Sequence, residues 1–323
     1  MKKTGLFILL MTLCSAGIFA QAGNDRLAEI QGAAAEKTAD SLWVVGGGLG
    51  LDFAQLALVQ PKVGAGSNRI GFGGLGTVFA NYGKDKVSWT NIASLQLGAQ
   101  RIGGNGKPFE KNIDVIRAAS RFGYQLGEGK AYAAIEASAQ TLLLPTYEGN
   151  LINPEDKTNL IAKFFAPVQF QLSPGIDYKV NEHLSFFLSP ASLKIIYVGN
   201  DQIAALNVHG NDEGTNRFLA VGANLIAGYN NKFLNDRLVW NSTLNLFSNY
   251  LRDPQNVDLL WTNDLGIIIF KNVSLNLVTE LFADDDIDVQ IDRNGNGIYG
   301  EAGELAPSVS FTEALIIKYS FVF

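Results

Sequence analysis

The sequence predicts an all-β fold: a transmembrane antiparallel up-and-down β-barrel of about twelve strands. Three observations carry this. Apolar residues make up 47% of the chain and charged residues only 17%, below the roughly 25% charged of soluble domains. Beyond the N-terminus, however, no stretch approaches the ~20 continuous apolar residues that a membrane helix needs. Segments of about ten residues instead alternate in polarity between clusters of Gly, Asn, Asp and Pro, as strands do between lipid and a polar interior. Finally, the chain stops on "EALIIKYSFVF". An edge strand with one apolar face invites aggregation unless it is paired, and pairing the last strand with the first closes a barrel and removes the edge.

The elements follow in order. Lys2 and Lys3, the apolar run Gly5 to Leu13 and the small residues Ala16 to Ala22 make a secretory signal, cut after Ala20. The only cysteine, Cys14, lies inside it. Bulky Leu13 stands where a lipoprotein signal needs a small residue, so the mature chain has neither a disulfide nor a lipidated thiol. Residues 21–41 form a short alanine-rich periplasmic leader, and 42–323 form the barrel.

The strand segments are 42–59, 68–82, 86–101, 112–126, 130–144, 164–180, 183–198, 217–229, 237–250, 258–270, 273–282 and 308–323. In "VVGGGLGLD", Gly46, Gly48 and Gly50 share the inward phase of the first strand, as Gly71 and Gly73 do in the second. A dinucleotide loop would need glycine at Leu51 and a following helix, so these glycines leave room for bulky neighbours. In "VIRAASRFGYQL", Ile116, Ala118, Phe122, Tyr124 and Leu126 share one face, opposite Arg117, Arg121 and Gln125. "FFAPVQFQLSPGIDYKV" repeats the design with aromatics near both ends, and Pro167, Pro174 and Pro190 mark bulges or breaks. In "LVWNSTLNLFSNY", Trp240, Leu244, Leu246 and Tyr250 oppose Asn241, Thr243, Asn245 and Asn249. On the last strand, Leu315, Ile317, Tyr319, Phe321 and Phe323 share the outer face; Tyr319, Phe321 and Phe323 look like the signal read by the outer-membrane assembly machinery.

Connection lengths give an independent check. Those after even-numbered segments are short ("GKD", "GEG", "NE", "NNKFLND", "KN"), whereas long ones follow odd-numbered segments. Short turns at one end and long loops at the other describe a barrel in the outer membrane of a Gram-negative bacterium, with both termini periplasmic. The net charge of −6 and the lack of a basic cluster exclude a nucleic-acid partner. The expected surroundings are outer-membrane lipid and, during biogenesis, the assembly machinery.

Several stretches together are similar to the outer-membrane protein family catalogued as domain of unknown function 3078. They are "GLGLDFAQLAL", "VFANYGKDKVSWTN", "FFAPVQFQLSPGIDYKVNEHLSFFLSP", "LFSNYLRDPQNVDLLW" and "FADDDIDV". The chain departs from that pattern after "FAQLALVQ", where "PKVGAGS" replaces a tryptophan and a small-residue pair. The resemblance implies the barrel architecture and no activity.

Candidate chemistry is sparse. A serine nucleophile needs a base, usually histidine; His183 and His209 are the only two, and neither has a recognisable nucleophile setting, so the sequence argues against an enzyme. Asp292, Asn294 and Asn296 before Gly297 match the first half of a calcium loop. Position twelve, however, is Gly303, with Glu301 and Glu304 displaced from it. Calcium is the one cofactor candidate, and an acidic hydrated loop is the alternative reading. Arg117, Arg121, Glu136, Asp177, Lys179 and Glu280 are the inward polar candidates, either lining a channel or filling the lumen with ion pairs. The expected role is a channel for a small solute; the alternative is a non-conducting surface barrel with cation-binding acidic loops.

Overall fold

The computed structural model describes residues 42–56, 69–103, 106–152, 154, 159–207, 209–285, 288–291 and 305–322. The signal and leader segments, the calcium candidates Asp292, Asn294, Asn296, Glu301 and Glu304, and the terminal Phe323 lie outside the described residues.

Twelve long strands carry the fold: β1 (Trp43–Leu56), β2 (Arg69–Lys84), β3 (Val87–Ile102), β4 (Glu110–Gln125), β5 (Ala131–Thr141), β8 (Val168–Lys179), β9 (Leu184–Tyr197), β10 (Arg217–Phe233), β11 (Leu238–Asn249), β12 (Asp258–Phe270), β13 (Val273–Ala283) and β16 (Ser310–Val322). Each pairs antiparallel with its neighbours in sequence, and β16 pairs with β1 to close the barrel. Four short strands, β6 (Thr146–Tyr147), β7 (Leu160–Ala162), β14 (Asp288–Gln290) and β15 (Leu305–Pro307), form two ribbons within the long loops. A short helix, α1 (Asp201–Ala204), also lies in the long loops, its first turn capped by Asn200 Oδ1 accepting from Ile203 N at 2.9 Å. The short connections are tight, with Asp85, Asn235, Asp236 and Asn272 in the left-handed region that Asn and Asp tolerate.

The period of two sorts each strand into an outer and an inner set. Leu49, Leu51, Phe122, Ile135, Leu172, Ile176, Ile267 and Leu315 are exposed, while Gly50, Gly123, Ala134, Ser173, Asp177, Gly266 and Ile316 are buried in alternate phase. A mainly apolar surface round a closed barrel with a polar interior is the signature of a membrane-spanning one. Trp43 packs on Tyr82 (5.2 Å between ring centroids) and Trp89 (5.8 Å) beside the chain's first strand and first tight turn. These rings form part of an interfacial girdle.

The inner glycines have a clear packing role. Register places Gly46 against Phe79, Gly48 against Thr77 and Gly50 against Leu75, all three buried on β2, so the bare wall of β1 accommodates its neighbour's bulk. The bulge expected near Pro190 is present: β9 carries an extra residue relative to β8 between Leu172 and Ile176, and relative to β10 between Gly222 and Asn224. There the missing proline N–H costs no ladder bond. Three segment ends differ from expectation: β10 runs on past 229 to Phe233, still paired with β11 as far as Leu238. β5 stops at Thr141 because Leu143 N and Leu144 N leave the ladder to donate to the Asp114 carboxylate, each at 2.8 Å. β8 begins at Val168 because Phe164 and Phe165 lie in a turn closed by mutual backbone bonds between Lys163 and Ala166.

Candidate functional site: the lumen

The inner wall is divided into two unlike halves. On one side, β12, β13 and β16 pack against each other through a buried polar cluster. The Lys318 ammonium pairs with Asp264, which also accepts from Asn276 Nδ2 at 2.5 Å; Asn276 Oδ1 in turn accepts from Ser274. Lys318 is 1% exposed and Asp264 2%, so little water reaches this pair. The other side opens into a cavity of about 510 Å³ at the short-turn end, its walls drawn from β3, β4, β5, β8, β9, β10 and β11.

Arg121 is the hub of that cavity. Its Nε donates to Glu136 Oε2 at 2.7 Å, its Nη1 stands 3.6 Å from Asp177 Oδ1, and its guanidinium lies over the Phe187 ring at 4.5 Å. The tight turn at 126–130 fixes Arg121 directly opposite Glu136, and Phe187 is opposite Asp177 on β9. Lys179 extends over the Tyr132 ring at 4.5 Å. At the mouth, His183 Nδ1 meets the Asn230 carbonyl at 3.0 Å, and the Asn230 side chain donates to Asn241. Two cations, two inner carboxylates, the exposed Glu182 at the mouth and several amides and hydroxyls therefore line one cavity.

The structure thus brings together Arg121, Glu136, Asp177 and Lys179. Arg117 stands deeper, donating from Nε to Gln140 Oε1 at 3.0 Å, and Glu280 lies on β13 opposite Thr262; neither lines the cavity. Tyr319 and Phe321 are exposed on the outer face of β16. His209 sits among the long loops, its Nε2 at 2.5 Å from the Ile161 carbonyl. Near it, Ala166, Val198, Ile203 and Ala204 form a small apolar core capping β8 and β9.

Four inner residues hold buried polar atoms with no hydrogen-bond partner among the described residues: Thr77 Oγ1, Asn81 Oδ1, Asn245 Oδ1 and both side-chain polar atoms of Asn224. Buried polar atoms are ordinarily satisfied, and each orphan costs about 1–3 kcal/mol. Water or a solute oxygen reaching them would relieve that cost. They mark where the interior gains by becoming wet.

Fold and inner wall together define an outer-membrane-type β-barrel with a polar, partly filled lumen. Residues 53–147 match the family model described as Protein of unknown function (DUF3078), which bears out the sequence resemblance over that stretch. Comparison with curated proteins finds no match. Among solved structures, the chain is similar to the COG4313 outer membrane channel from Pseudomonas putida F1, with 11% identity, 86% of this chain and 95% of that chain covered, and a TM-score of 0.40. It is similar to the β domain of the Bordetella autotransporter BrkA, with 8% identity, 86% and 99% covered, and a TM-score of 0.33. The translocator domain of autotransporter NalP from Neisseria meningitidis has 9% identity, 94% and 99% covered, and a TM-score of 0.33.

Proposed function

We propose that the chain is a passage for a small polar solute across the outer membrane of a Gram-negative bacterium, with the short turns and both termini on the periplasmic side. One observation carries the reading: half of the inner wall is a mixed-charge polar cavity of about 510 Å³, and unsatisfied polar atoms on β2, β10 and β11 mark the inner wall beyond it. Eight strands enclose a filled interior and sixteen an aqueous pore; twelve strands with one packed side make a narrow route. Charges of both signs at Arg121, Lys179, Glu136, Asp177 and Glu182 favour a neutral or zwitterionic solute over a bare anion.

Swelling of proteoliposomes in isosmotic glycerol, glycine and a disaccharide tests this. The two small solutes enter and the disaccharide does not. Folded protein that admits none of them would favour the non-conducting surface barrel instead, with the acidic segment around Asp292 as its cation-binding part.

A further inference from the structure

We infer that the cavity at the short-turn end binds a small α-zwitterion, a molecule with its ammonium and carboxylate on one carbon, between Asp177 and Lys179. Within the passage proposed above, on which this assignment rests, it is the place where the solute is selected.

The charges of the cavity do not cancel in pairs. Arg121 is shared by two carboxylates: Glu136 Oε2 accepts from its Nε at 2.7 Å, and Asp177 Oδ1 faces its Nη1 at 3.6 Å. A guanidinium carries one positive charge, so these three groups leave one negative charge over. Glu136 holds the short bond and Asp177 the longer contact, which puts the excess at Asp177. Lys179 is the opposite case. Its ammonium lies 4.5 Å from the centre of the Tyr132 ring, and among the described residues no carboxylate pairs with it. An aromatic face attracts an ammonium without neutralising it, and its three N–H donors cannot all point at one ring. The remaining carboxylate of the cavity, Glu182, is exposed at the mouth and faces His183 at 3.5 Å.

The strand fixes how far apart the two uncompensated charges stand. Asp177 and Lys179 are alternate residues of β8, so both project inward, and both line the cavity. Each is held by ladders on two sides: Asp177 is opposite Tyr132 on β5 and Phe187 on β9, and Lys179 is opposite Ser185 on β9. Because Tyr132 is the residue opposite Asp177, the Lys179 ammonium over its ring leans back toward the level of that carboxylate. Inward neighbours on one strand are roughly 7 Å apart. Two charge-assisted bonds of about 2.8 Å each leave little of that span, so the two charges of a bridging solute must be adjacent. An α-zwitterion then satisfies both ends at once, its ammonium at Asp177 and its carboxylate at Lys179. A bare anion would meet Lys179 beside an excess negative charge, a bare cation would meet Asp177 beside an unpaired ammonium, and an uncharged solute would compensate neither.

Saturation-transfer NMR on the full-length mature barrel in detergent tests this, with glycine and its uncharged isomer glycolamide as probes, each read at its methylene signal. Wild type binds glycine at least about tenfold more tightly than glycolamide, as two charge-assisted bonds predict. Lys179→Gln loses the glycine signal and Lys179→Arg keeps it; Asp177→Asn, scored if the glutamine variant does not fold, also loses it. Equal signals from the two isomers, no signal from either, or an undiminished glycine signal in a folded Lys179→Gln or Asp177→Asn barrel would each overturn the site. Vesicle swelling reads the passage separately. Glycine contact in a barrel that admits no solute would keep the site and remove the passage, whereas entry of both isomers without contact would keep the passage and remove the site.

Discussion

Replacing Lys318 by methionine removes one member of the ion pair that joins the last strand to β12 across β13. Both side chains are almost wholly withdrawn from solvent, at 2% and 3% exposure, so solvent screening gives little relief. After the change, Asp264 keeps its bond from Asn276 but no cation. Breaking a buried pair by removing one partner costs about 3–5 kcal/mol. At an m-value of about 1–3 kcal/mol/M, the urea midpoint of the refolded barrel in lipid vesicles falls by at least ~1 M. The double variant Lys318→Met with Asp264→Leu recovers most of the loss, because an apolar pair of similar volume replaces buried ions at little net cost. The small remainder is the acceptor lost by Asn276, about 1 kcal/mol. If Lys318→Met alone lowers stability by less than about 0.5 kcal/mol, the pair behaves as a solvated surface bridge. The packed half of the lumen would then be filled with water.

Other substitutions test local parts of the account. Gly175→Ala directs a Cβ to 2.2 Å from the Leu188 carbonyl, whereas at Gly83 a Cβ meets nothing within 4 Å; the first variant fails to refold or loses several kcal/mol, as overpacked sites do, and the second refolds as wild type by electrophoretic mobility. Asp114→Ala leaves Lys111 buried without its carboxylate and frees Leu143 N and Leu144 N. Segment 142–152 then becomes a site of rapid proteolysis while the barrel resists. Glu136→Gln removes one of the two carboxylates facing Arg121, and the reversal potential in a salt gradient shifts toward anion preference.

Much of this architecture is legible in the sequence because a period of two is a strong signal when one face meets lipid. Alternation gave the twelve barrel strands, and the connection lengths gave their two ends. The pairing of Arg121 with Glu136 follows from the short turn at 126–130. The pairing of Lys318 with Asp264 does not: it joins residues 54 apart in sequence, on strands separated by a third, so it depends on two registers at once. A signal was nonetheless present, because Asp264 in "WTNDLGIII" and Lys318 in "LIIKYSFVF" are lone charges within apolar runs. The strand ends at Thr141 and Val168 were hidden for a different reason. "LLLP" and "FFAP" continue the apolar texture of a strand, and only the folded Asp114 carboxylate and the turn at Phe164–Phe165 show where the ladder stops.

The most direct test of a polar passage through one half of the lumen is single-channel recording of wild type beside Ala119→Trp, whose indole would project from β4 into the cavity next to Arg121. Wild type should give small, discrete conductance steps, and Ala119→Trp, folded by the same electrophoretic criterion, should give smaller steps or none. Steps of unchanged size in the tryptophan variant, or a wild-type barrel that never conducts, would contradict the account.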